Sequence, residues 1–176
     1  IYLRHDLTLL PKQTYVYQEV ENVKEEEYGK VVISRTYEPN EEIVLCAGET
    51  LVVDFGQNCS AVPSFEFKAA EGTTLTCLPA EMLNDGNGAK KRSMDGPEGS
   101  VYRHNLRIQN DCIRLIYTFA GDKKYVSYIP RYTFFGYRYI SVTATDTLHI
   151  KSVKSIPVTS ITEDMEIGKI TTGNEL

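Results

Sequence analysis

Apolar and polar residues alternate at every second position through much of this chain. Ser64-Phe65-Glu66-Phe67-Lys68 is the clearest run and places Phe65 and Phe67 on one face of a strand. The same period recurs in Thr14–Tyr17, Lys30–Ser34, Thr73–Leu78, Arg114–Phe119, Tyr125–Ile129, Tyr137–Thr143 and Leu148–Val153. Val, Ile, Thr, Tyr and Phe dominate these runs, and such side chains suit a pleated, half-buried surface. Gly, Asn and Pro separate the runs, so the pattern predicts an all-β fold, an antiparallel sandwich or barrel. One stretch departs from it. Val20 to Tyr28 is rich in Glu and is expected to form one short surface helix, stopped by Gly29. One long connection is also expected, from Asn84-Asp85-Gly86-Asn87-Gly88 through Asp95-Gly96-Pro97.

The composition narrows the class. The 176 residues suit one domain with a substantial core. A net charge of -5 leaves no basic surplus to neutralise phosphates, so a nucleic-acid partner is not expected. No apolar run approaches the roughly 20 residues that span a bilayer, so a membrane partner is not expected either. Cys46, Cys59, Cys77 and Cys112 form no C-x-x-C pair, which argues against zinc, and they are expected to be unpaired. The aromatic set is 12 Tyr and 6 Phe with no Trp.

The candidate chemistry is sparse. Asp54-Phe55-Gly56 occurs without the other signatures of a protein kinase, so the triplet has no catalytic meaning there. Asn58 is expected to bond its own turn. Glu81 is a lone carboxylate, whereas glycoside hydrolysis normally needs two. Its expected partner is Arg107 or Arg138. Tyr132, Phe134, Tyr137 and Tyr139 are expected to pack in the core. His5, His104 and His149 lie in no nucleophile or metal motif and are expected at the surface. The long connection offers the candidate carbohydrate contacts Asn84, Asp85, Asn87, Tyr102, Arg103 and Asn105, since binding groups concentrate on such loops. Asn84, Asp85 and Asn87 carry oxygens suited to Ca2+ but lack the complete loop signature of a calcium site. No other cofactor is expected.

A string of phrases then runs in order: Leu51-Val52-Val53-Asp54-Phe55-Gly56-Gln57-Asn58, Ala70-Glu71-Gly72-Thr73-Thr74-Leu75, Pro79-Ala80-Glu81-Met82-Leu83, Asn105-Leu106-Arg107, and Pro130-Arg131-Tyr132-Thr133-Phe134-Phe135-Gly136-Tyr137-Arg138-Tyr139-Ile140. Their order and spacing resemble the concanavalin-like β-sandwich domain of bacterial α-L-rhamnosidases. The resemblance implies a jelly-roll-like sandwich that does no chemistry itself, in which Asp54 ends a buried strand and Gly56 permits a tight turn or bulge. Its implied partners are a catalytic (α/α)6 barrel of the parent chain and rhamnose-containing glycans. No position matches the family's catalytic acid and base. The implied organisation is N-terminal strands over 1–40, a sandwich core over 41–158, and a linker toward a catalytic domain over 159–176. An autonomous carbohydrate-binding module is the alternative.

Overall fold

The computed structural model describes residues 1–86, 96–106, 113–121, 124–162, 165, 167–168 and 171–173. The period-2 runs become strands: β1 Tyr2–Leu3, β2 Gln13–Glu21, β3 Lys30–Thr36, β4 Ile43–Leu45, β5 Thr50–Ala69, β6 Thr74–Ala80, β7 Met82–Leu83, β8 Val101–Tyr102, β9 Leu115–Thr118, β10 Val126–Tyr128, β11 Phe135–Ala144 and β12 Leu148–Thr159. Among the described residues all of the strand pairs are antiparallel.

The 20-residue β5 organises the fold because its two halves belong to different layers. Its first half pairs with β2 from Gln13↔Asp54 to Tyr17↔Thr50, and with β11 from Tyr139↔Asp54 to Val142↔Leu51. Its second half pairs with β12 from Leu148↔Ala69 to Pro157↔Ala61, and with β10 from Val126↔Phe67 to Tyr128↔Phe65. One layer therefore runs β3-β2-β5-β11-β6-β9, and the other places β1 and β4 on β12, then β5, then β10. The change of layer occurs at Gly56, where φ is +78°, opposite a register shift between Tyr137 and Tyr139. A left-handed residue of this kind re-aims a strand, and glycine adopts it without steric cost.

The two layers close on one apolar core. Val53, Phe55, Ile140 and Val142 from the first layer meet Phe65, Phe67, Ile150 and Val153 from the second. The ring of Phe67 lies 4.9 Å from Tyr117 of β9 and 4.7 Å from Phe119. β9 shares no ladder with β5, so these rings touch across the layers. The molecule is an antiparallel β-sandwich, as the alternation predicts.

Several local expectations are corrected. The 20–28 stretch is a hairpin end: β2 continues to Glu21, which pairs with Lys30, and a bridge joins Lys24 to Glu27. Asn22 at φ +57° turns the chain, and β-branched Val20 gains more from its cross-strand partner Val31 than from a helix. Asp54 lies inside β5 rather than at its end. Tyr132 and Phe134 precede β11 and are exposed, whereas Tyr137 is buried. Cys46, Cys59 and Cys77 are free thiols, and Cys112 lies outside the described residues. The expected linker over 159–176 falls partly outside them as well.

Candidate functional site

Four of the five phrases that carry the resemblance meet where β5 changes layer. Asp54 is 8% exposed and would normally resist ionisation there. Arg138 on β11 answers it with a bidentate pair, Nε to Oδ1 and Nη2 to Oδ2, both 2.8 Å. The Gly56 N–H donates a third bond to Oδ1 at 2.6 Å. Burial pushes the Asp54 pKa up, but the Arg138 and Gly56 donors outweigh it and hold the carboxylate below its ordinary value. The side chain of Asp54, not that of Asn58, therefore ties the bend. The guanidinium of Arg138 also lies 4.9 Å from the Tyr139 ring centroid.

Glu81 follows Ala80, which is in register with Tyr139, so it stands across from Arg138. The arginine nevertheless engages Asp54. Glu81 instead accepts hydrogen bonds from two side-chain amides, Asn58 Nδ2 at 3.3 Å and Asn105 Nδ2. The expected Glu81–Arg138 ion pair is thus replaced by a carboxylate held between two neutral donors, and Arg107 lies outside the described residues. Three phrases meet in this cluster: Asn58 after the bend, Glu81 after β6, and Asn105 after β8.

The chemistry open to the cluster is limited. Asp54 is committed to Arg138, and Glu81 has no second carboxylate bonded to it. Among the described residues the cluster holds two carboxylates, one paired with an arginine and one between two amides. It can brace the strand crossing and present one half-buried carboxylate with two amides at the edge of the sandwich. No group of three or more His, Cys, Asp or Glu side chains suited to a metal occurs among the described residues.

The long connection is pinned at its base. β7 and β8 pair through Met82↔Tyr102 and Leu83↔Val101. Asn84 is 8% exposed, and its amide donates to Ser100 Oγ at 2.8 Å while its carbonyl accepts from the Gly96 N–H at 3.0 Å. Its polar atoms serve the turn and do not face solvent. Asp85 is exposed. Tyr102 is half-buried, with its ring 6.0 Å from that of His104. Arg103 donates through Nη2 to the Ile113 carbonyl at 2.6 Å, and Asn105 holds Glu81. Asn87 lies outside the described residues. Of the six candidates, the structure brings Asn105 to the Glu81 cluster and commits Asn84 to structure. Sequence reasoning missed the Asp54–Arg138 pair, whose members lie 84 positions apart.

Residues 45–159 match the bacterial α-L-rhamnosidase concanavalin-like domain. The chain belongs to this family. An α-L-rhamnosidase of Streptomyces avermitilis is 34% identical over 92 residues, which is 52% of this chain and 8% of that protein. One from Formosa agariphila is 28% identical over 107 residues, 61% of this chain and 10% of that protein. One from an Alteromonas species is 26% identical over 98 residues, or 56% and 9%. A solved rhamnosidase from Klebsiella oxytoca with rhamnose bound superposes with a TM-score of 0.51 at 15% identity, covering 90% of this chain and 29% of that one. This last likeness bears on the fold alone. The concanavalin-like domain thus spans a tenth or less of the curated relatives it matches, which are large proteins with further domains.

Proposed function

We propose that this chain is the non-catalytic sandwich domain of an α-L-rhamnosidase, supporting a catalytic (α/α)6 barrel that removes terminal α-L-rhamnose from glycans. The observation that carries the reading is the pairing of a family match over residues 45–159 with a cluster whose carboxylates, among the described residues, are Asp54 in an ion pair and Glu81 held by two amides. An inverting or retaining glycosidase needs two carboxyl groups flanking the scissile bond. Here the cluster's other carboxylate, Asp54, is locked by Arg138. The role left to the domain is mechanical: a braced edge from which Glu81 and its amides meet the neighbouring domain. Within this reading, 1–40 supplies N-terminal strands, 41–158 the core and 159–176 the linker.

The test is turnover. The purified chain is expected to release no nitrophenol from p-nitrophenyl α-L-rhamnoside. Release that disappears in Glu81→Gln would overturn the accessory role. In a complete parent enzyme, Glu81→Gln is expected to lower thermal stability while leaving KM unchanged, because the carboxylate would act at a domain boundary.

A further inference from the structure

A second surface lies away from the motif cluster, on the outer face of the layer built by β12, β5 and β10. β10 leaves β5 at Phe65, and β11 rejoins it only at Ala61, so residues 62–64 have no ladder partner on that side. Pro63, which has no N–H to donate, sits in the middle of the gap. The connecting segment 129–134 stands off from the sheet there. The result is an open groove of about 1290 Å³ between that segment and the sheet.

The groove is mixed in character, with apolar Leu3, Val62, Phe134 and Val158 in its lining beside polar and charged groups. Its floor carries the hydroxyls of Ser64 and Ser152, with Glu66 and Lys154, while Arg131 and Tyr132 stand on its wall. Glu66 is already paired with Lys151 at 2.7 Å. Among the described residues Lys154 and Arg131 have no carboxylate partner, so two cations face the same space in a chain of net charge -5. Tyr132 is 102% exposed and has φ +65°, a conformation that strains a bulky residue. Nothing in the core holds its ring there, and strain of this kind gathers at ligand clamps.

We propose that this groove binds an acidic saccharide, with Arg131 and Lys154 pairing with a sugar carboxylate and the Tyr132 ring stacking on a pyranose face. Arginine matches a carboxylate with two parallel N–H bonds. The serine hydroxyls exchange hydrogen bonds with sugar hydroxyls, and an exposed aromatic face on an open groove suits a chain passing through it. The choice of a saccharide over an acidic peptide rests on the glycosidase reading above; the charge and position of the site do not.

Amide NMR titration of the chain with trigalacturonic acid tests the proposal, with its methyl ester and L-rhamnose as controls. Saturable shifts are expected at 64–66, 127–134 and 152–154, with at least tenfold weaker binding in Arg131→Ala/Lys154→Ala and none for the ester. Tyr132→Gly separates binding from folding: it is expected to raise the unfolding temperature and to remove the shifts. No shifts at 10 mM trimer, equal binding of the ester, or shifts confined to 84–105 would overturn the site. So would tighter binding of a poly-glutamate peptide, which would assign the groove to protein contact. Turnover of rhamnosides by the chain would sink the accessory role and leave the groove untouched, so the two failures are distinct.

Discussion

Replacing Arg138 by Met is expected to destabilise the domain more than replacing Asp54 by Asn, although both changes break the same ion pair. The asymmetry follows from burial: the Asp54 side chain is 12% exposed and that of Arg138 is 40% exposed. Arg138→Met strands a buried carboxylate, at a cost of about 2 kcal/mol. Loss of the contact with Tyr139 adds about 0.5 kcal/mol. Asp54→Asn keeps an acceptor for the Gly56 N–H and leaves an arginine half in water. A partly exposed pair is screened, so that change costs about 1 kcal/mol. For a domain of this size the losses correspond to about 5–10 °C and about 2–4 °C in Tm. The pH dependence supplies the sharper assay. Asp54 has a folded pKa below its ordinary value of 3.8, so its contribution is present above that value and lost as pH falls through the folded pKa. Without Arg138, burial is opposed only by the Gly56 N–H and the charge of Lys12, so the folded pKa rises relative to wild type and the variant should lose stability relative to wild type as pH rises through the ordinary value. Urea midpoints at pH 3 and pH 7 measure it. A deficit in Arg138→Met that is unchanged between the two, or smaller than that of Asp54→Asn at pH 7, would refute the reasoning.

Three further outcomes are expected. Gly56→Ala should cost about 1 kcal/mol or more by chemical denaturation, because φ is +78° and a Cβ would lie 2.3 Å from Lys12 Cδ; Gly136→Ala should be near neutral, since only Glu81 Oε1 at 3.8 Å is close. Asn84→Ala should lower stability by about 2 kcal/mol, because it leaves the Gly96 N–H and Ser100 Oγ without their shared partner; an unchanged Tm would show the turn is held otherwise. Native-state alkylation followed by peptide mapping should label Cys46, which is exposed, and spare Cys77, whose thiol burial pushes up to about 12.

The strands were legible wherever one face of a run is buried and the other is wet, as in Ser64–Lys68, because period 2 then appears in the residues themselves. The hairpin end at 20–28 was not, because its glutamates satisfy a helix locally and only the pairing of Val20 with Val31 decides otherwise. The phrase around Gly56 reads as a strand end because a turn residue looks the same whether a strand stops or bends. Tyr132 and Phe134 share the spacing of core aromatics, and their exposure comes from a segment that leaves the sheet beside Pro63. The Glu81 cluster was legible as a set of phrases but not as a set of bonds. Which arginine meets which carboxylate depends on register between β5, β6 and β11, and spacing along the chain does not encode that.

The sharing of β5 between the layers has a consequence for synthesis on the ribosome. Its second half finds its β12 partners only after most of the chain has emerged; Glu66 and its partner Lys151 are 85 positions apart. At roughly 5–20 residues per second this is a wait of about 4–17 s. During it, Phe65 and Phe67 sit on a strand with an open edge, the kind of segment that holdase chaperones shield and that aggregates when they do not. The yield of soluble domain should therefore respond more to translation speed and chaperone supply between codons 69 and 157 than to the stability of the finished fold.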